Sequence, residues 1–318
     1  MGKTSFDVIQ ANSYIGLPMV TSGQVFFLNN SSVVAPGGIG GSDSNSGTSP
    51  QQPFSTFAGA NAACTANRGD VVYILPGHAE TVSTTSMAAT KAGVSFIGLG
   101  KGTLRPTFSL NATGSTVTVS ANNVSFSNLR FIAITTANIT SAFTLTTAKN
   151  CVIDSCEFLD TSAVLNFLCC VTSSATDNDN DYLTFTNNYV YSLPTTDGAV
   201  VSMLSNCYGL TISDNFVDKA ATADAGHLLT MAAEVMTGIR VQRNVLTMKA
   251  LSSQATGTLL TGSATTGSGI VSHNIVYQID TSTGLLATAG TKFGFIENYM
   301  SGAADKSGTI FPAADDPA

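Results

Sequence analysis

Apolar residues in this chain alternate with polar ones over short stretches, break at an asparagine, and then alternate again. Leu183-Thr-Phe185, Leu210-Thr-Ile212 and Ile239-Arg-Val241 have the period of two that strands require. Three residues beyond each last apolar position stands an asparagine. Asn188, Asn215, Asn244, Asn274 and Asn298 follow Phe185, Ile212, Val241, Val271 and Phe295. Their intervals are 27, 29, 30 and 24 residues. Two earlier units fit with a substitution, Ile153 leading to Cys156 and Phe126 to Leu129. A second apolar position follows two residues on: Phe131, Phe158, Val190, Val217, Leu246, Val276 and Met300. A period of this length marks a solenoid, in which no unit buries its apolar face alone.

A third strand lies further along most units, at Phe143-Thr-Leu145, Val200 to Met203, Leu228 to Met231, Thr258 to Leu260 and Leu285 to Ala287. Three strands and three bends make one triangular coil. The pattern predicts an all-β fold, a single-stranded parallel β-helix of about eight coils. Strands stacked about 4.8 Å apart would give a rod on the order of 40 Å long. An asparagine amide both donates and accepts, so the five in register should form a ladder, bonded to each other and to the bend backbone.

The rest of the chain frames this body. Residues 1–24 read as an extended N-terminal arm, and 25–69 as a first strand (Val25 to Leu28), a polar loop and a cap helix. The helix candidate is Pro53 to Cys64, with Phe54, Phe57, Ala58 and Ala62 on one side, lying across the open end of the first coil. Residues 70–311 hold the coils, opening with Val71 to Leu75 and Val94 to Leu99, and 312–318 form a polar tail. The tail is too short to cover a coil, so another chain or subunit is expected there.

Only 10% of residues are charged, and the 13 lysines and arginines are scattered under a net charge of −7. Nucleic-acid binding is not expected of such a surface. No apolar stretch reaches 18 residues, and the N-terminus lacks the features of a secretory signal, so neither a membrane span nor export is expected. The six cysteines, Cys64, Cys151, Cys156, Cys169, Cys170 and Cys207, have no zinc-site spacing. They are expected to be reduced and buried, with Cys169 and Cys170 facing opposite sides of a strand, which suits assembly in a cytoplasm.

The coil pattern resembles the right-handed parallel β-helix of the pectin-lyase-like superfamily over about residues 70–311. The start is more specific. Gly41 to Gly47, Ser49 to Phe57, Gly69 to Thr81, Gly98-Leu-Gly100 and Arg105-Pro106 resemble β-helix proteins encoded by tailed bacteriophages. That resemblance implies a virion component and, in many relatives, a homotrimer. The expected role is a non-enzymatic capsid decoration or cement protein, or a head fibre. Its expected partners are itself and the major capsid protein or another virion protein, and its place the outer capsid surface, after assembly in the host cytoplasm. The alternative is a tail spike that binds or depolymerises host surface polysaccharide.

Catalytic segments of related enzymes are not reproduced. Arg105-Pro106 is followed by Thr-Phe-Ser, unlike the Arg-x-Pro-x-x-Arg of pectate-lyase relatives, and Gly77-His78 by alanine, unlike the Gly-His-Gly of polygalacturonase relatives. A carboxylate pair could still serve a glycosidase, the candidates being Asp154, Glu157 and Asp160 with Asp214 and Asp218. Asp177, Asp179 and Asp181, alternating with asparagines in the longest interval, form a calcium candidate without EF-hand spacing. His78 and Glu80 should share a strand face, while His227 and His273 lie on other coils. No catalytic residue, cofactor or firm metal site is expected.

Overall fold

The computed structural model describes residues 22–31, 35–83, 87–135, 138–193, 198–219, 226–231, 235–248, 257–262, 266–278, 285–287, 292–301 and 310–311. The arm (1–21 of it) and the 312–318 tail lie outside them.

Three parallel sheets run the length of a β-solenoid. The first begins with β1 (Val25–Leu28) and β2 (Val71–Ile74), the second with β3 (Ala79–Val82), and the third with β4 (Met87–Ala89). The third sheet has eight strands, so eight coils contribute to all three. The apolar columns stack as the sequence implies. Phe126, Ile153, Phe185, Ile212, Val241, Val271 and Phe295 are successive partners in the first sheet. Phe131, Phe158, Val190, Val217, Leu246, Val276 and Met300 are successive partners in the second. Phe143, Val171, Val201, Leu229, Leu260 and Ala287 are successive partners in the third. Val171–Thr172, Val117–Val119 and β4 are third-sheet strands too short to stand out in the sequence. Cys169 and Cys170 precede Val171 rather than alternating on a strand, and both are buried.

Phenylalanines fill the N-terminal half of the core. Phe96 and Phe126 stack with centroids 5.3 Å apart, and Phe143 meets Phe131 edge-on at 4.8 Å. Such geometries add to the burial energy of the rings.

The ladder is formed. Each asparagine from 188 to 298 is essentially fully buried. The backbone N–H of Asn188, Asn215, Asn244 and Asn274 donates to Oδ1 of the next asparagine at 2.9–3.1 Å. Each Nδ2 donates back to the carbonyl of the apolar column, as Asn244 Nδ2 does to Ile212 O at 2.9 Å. Cys156 heads the column, its N–H donating to Asn188 Oδ1 at 2.8 Å. The bend itself is made one residue earlier. Asn128, Ser155, Asn187, Asp214, Arg243, His273 and Glu297 all have φ between 49° and 60°. At this corner one left-handed residue per coil turns the chain, as a second column of them (Gly93, Asn123, Asn150, Tyr182, Gly209 and Gly238) does on entry to the first sheet, and the buried asparagine satisfies the backbone groups the ladder turn leaves open.

The N-terminal end is closed in two ways. β1 adds a strand to the first sheet. Over the other two lies α1 (Phe57–Ala63), N-capped by Thr56, whose side chain accepts the Gly59 N–H. The helix is shorter than expected and its inner face differs: Phe57, Ala60, Asn61 and Cys64 are buried, whereas Ala58 and Ala62 are exposed. Phe54 is buried outside the helix, bridged to Leu28, because Asp43 takes the Ser55 and Thr56 amides and delays the helix start. Phe57 enters the core with its ring 4.5 Å from that of Phe96. At the far end Ile310–Phe311 pairs antiparallel with Asn298–Ser301, so the last strand-like run reverses instead of starting another coil.

Candidate functional site

The candidate acids are distributed around the rod, each with its own partner. Asp154 faces outward on the first sheet and accepts from Ser155 Oγ, Thr186 Oγ1 and Asn187 Nδ2. Glu157 begins a second-sheet strand and pairs with Arg130 at 2.6 Å, with Arg105 at 3.6 Å. Asp214 sits in the bend and is clamped by both Nε and Nη2 of Arg243, whose hydrogen bond holds its carboxyl below the usual range. Asp218 accepts from Thr247 Oγ1 at 3.2 Å. The register puts no two of these five on neighbouring positions: Glu157 lies between Arg130 and Tyr189, and Asp218 between Tyr191 and Thr247.

Asp160 points inward. Its column runs Val82, Leu110, Ala133, Asp160, and then Ser192, Lys219. Asp160 accepts the Phe167 and Leu193 amides at 2.8 Å, and Lys219 Nζ donates to Gly198 O at 2.6 Å. Burial pushes the Asp160 carboxyl up to about 7, against the pull of both amides and Lys219. These groups line a small pocket with Cys169, Cys170 and Val190. They fasten the corner between the second and third sheets.

Asp177, Asn180 and Asp181 are consumed by the loop. Asp177 accepts from the backbone N–H and Nδ2 of Asn206, and Asp181 accepts the Tyr208 N–H and meets Lys149 at 3.5 Å. Asn180 Oδ1 accepts the Ser174 N–H. Asp177, Asp179 and Asp181 therefore do not converge, and no cluster of three metal-ligating side chains occurs among the described residues.

His78 and Glu80 meet as expected, Nε2 to Oε2 at 3.3 Å. Asn30 N–H donates to His78 Nδ1, which fixes the ring. Glu80 shares its register with the inward Phe108, and its carboxylate accepts the Phe57 N–H at 2.9 Å. The pair thus anchors the cap helix. His273 pairs with Glu297 at 2.8 Å on the exposed bend, and His227 lies on the third sheet, so the histidines do not gather.

The three outer faces differ. The first is mainly serine and threonine (Ser125, Ser127, Thr184, Thr186, Thr211 and Ser213) but also carries Asp154, Arg240 and the exposed Ile270 and Ile296, and the third carries Thr118, Thr144, Thr172 and Ser202. The second carries a row running Glu157, Tyr189, Phe216, Val245, Ile275, Tyr299. Tyr189 and Phe216 stack at 5.8 Å and are 36% and 43% exposed; Tyr277, 45% exposed, meets Tyr299 at 6.0 Å. The sequence reading passed over this row. Its signal was present: every member from Tyr189 on directly follows a ladder asparagine.

A solenoid whose three sheets enclose a column-stacked core, with a buried asparagine ladder, is a parallel β-helix. A rhamnogalacturonan lyase structure superposes with a TM-score of 0.57 at 16% identity, covering 87% of this chain and 74% of that one. A GH136 lacto-N-biosidase from Eubacterium ramulus superposes at 0.40 with 9% identity, over 94% and 71% of the two chains. ORF18 of Geobacillus virus E2 superposes at 0.23 with 10% identity, over 77% and 57%. The first likeness shows the fold. No family model and no curated protein matches the chain.

Proposed function

We propose that this chain is a non-enzymatic structural protein of a tailed-phage particle, a capsid decoration or cement protein or head fibre acting as a homotrimer. The observation that carries this reading is a rigid rod, closed at its N-terminal end, that presents one face with a continuous aromatic and aliphatic row beside a mixed face and a face of serine and threonine. Such a body is suited to lie against other protein surfaces. The resemblance of residues 24–106 to phage virion β-helix proteins supports it, as does the use of the candidate acids in the stack's own bonding. Its partners on this reading are further copies and the major capsid protein or another virion protein, on the outer capsid surface.

The test is location. An electron-microscopy map of the particle should show the rod on the head, and particles assembled without the chain should be more fragile. Density on the tail, or no density on the particle, overturns the head assignment. A second reading, a spike that binds host polysaccharide, is favoured by one observation: exposed tyrosine rings on the second sheet suit stacking on sugar faces. Retention or shortening of host polysaccharide by the purified protein would select it.

A further inference from the structure

We infer that the outer face of the second sheet is a contact surface for a second copy of this chain, centred on the row Tyr189, Phe216, Val245, Ile275 and Tyr299. The inference rests on the reading above that copies associate, and adds to it a like-to-like pairing of two copies, face to face, which is a contact distinct from those that close a threefold ring.

Three observations lead to it. First, the row mixes rings with β-branched side chains. Val245 and Ile275 lie between Phe216 and Tyr299, and Tyr277 stands beside them on the neighbouring outward column. A sugar-binding platform gains little from aliphatic positions, whereas a protein contact gains burial energy from each. Second, the charge permits it. Copies carrying a net charge of −7 repel one another. Among the described outward positions of this sheet beyond Glu157, Asp218 is the sole charge. Nearer the cap, Arg130 and Glu157 neutralise each other in the same row. Third, the size suffices. Ten strands less the reversed one leave nine parallel strands in this sheet. Nine strands at the usual spacing, four residues wide, make a face of roughly 40 by 13 Å. Two such faces together bury on the order of 1,000 Å², about where specific association begins.

The experiment is sedimentation velocity on the purified full chain, from low to high micromolar concentration, with three variants. Phe216→Lys combined with Ile275→Lys places like charges at the centre of the row. Thr144→Lys places one on the third sheet as a control. Val245→Cys puts an accessible thiol in the row, the native cysteines being buried. The expected result is an oligomeric parent and control, and a double variant that is monomeric with an unchanged circular-dichroism spectrum and at least 100-fold weaker association. Val245→Cys should form an intermolecular disulfide under mild oxidation. A monomeric parent, or a double variant that associates like the parent, overturns the inference. If the double variant misfolds, the cysteine variant decides: no crosslink in an oligomeric sample overturns it. These outcomes are independent of the particle map. A protein missing from the capsid but associating through this row would sink the decoration reading alone, while a capsid protein whose oligomer ignores the row would sink this inference alone.

Discussion

Asn244 Oδ1 accepts two hydrogen bonds from Asn215, one from its backbone N–H at 3.1 Å and one from its Nδ2 at 2.9 Å. Asn244 in turn donates its own N–H and Nδ2 to Asn274 Oδ1, both at 2.9 Å. Every interior rung is both donor and acceptor, and no water reaches it. Asn244→Ala therefore leaves the Asn215 N–H and the Ile212 carbonyl buried without partners. It should destabilise the fold by about 3 kcal/mol or more, read as a shift in the urea midpoint. Asn244→Asp, which keeps the acceptor but buries a charge, should be no milder.

Asp160 gives a pH signature. An acid whose folded pKa, about 7, exceeds its ordinary value of 3.8 favours the folded state while protonated. Its contribution is fully present below about pH 4 and is lost as pH rises through 7. Three units correspond to about 4 kcal/mol. The stability difference between the parent and Asp160→Asn should change by a few kcal/mol across this window and be flat outside it. Urea titrations of both proteins at several pH values measure it.

Asp70 has the opposite sign. Burial alone would raise its pKa, but Arg68 and the Thr65 and Gln24 amides outweigh burial and hold the carboxyl below its usual range. The stability it contributes is present above about pH 4 and is lost as pH falls through the lowered value. Asp70→Ala should cost about 1–2 kcal/mol, because the part-buried bonds from the Thr65 and Gln24 amides and the Arg68 guanidinium lose their acceptor and only partly regain it from water. Faster amide hydrogen exchange across β1 and β2, with little change in the distant coils, is the expected local readout.

Ser155 occupies the left-handed bend with φ 55°, where its neighbours in the column are Asn128 and Asn187. Asparagine tolerates this region better than serine. Ser155→Asn should stabilise by about 0.5–1 kcal/mol, seen as a raised thermal midpoint.

The thiols should be silent. Burial pushes Cys151, Cys156 and Cys207 up to about 12. At pH 8 only about one molecule in 10⁴ would carry a given thiolate. Native protein should not react with an aromatic disulfide reagent, and denatured protein should release all six equivalents.

Much of this was legible because stacking converts spacing into register. Once Phe185, Ile212 and Val241 are known to recur a coil apart, their superposition follows, and so does the ladder. The interior columns were found because burial demands apolar residues at every rung. The outer row of Tyr189 to Tyr299 was missed for the converse reason: an outward residue answers to what lies outside the chain, which alternation does not report. The acids were misjudged from proximity in sequence. Asp154, Glu157 and Asp160 lie within seven positions, yet a bend sends them to two sheets, and the pleat turns Asp160 inward while Glu157 faces out. The cap helix lost its first turn to Asp43, a loop carboxylate twelve residues from Ser55.

The left-handed residue before each rung has a further consequence. Since this turn and its asparagine recur once in each circuit from Asn188 onward, removing the span from Asn188 to Asp214 would bring the Cys156 amide opposite Asn215, and each column would meet again one floor lower. The intervals already range from 24 to 32 residues without breaking the stack, the corners absorbing the difference. Rod length is thus a quantity that duplication or loss of whole floors can adjust, leaving the capped end and the far end untouched.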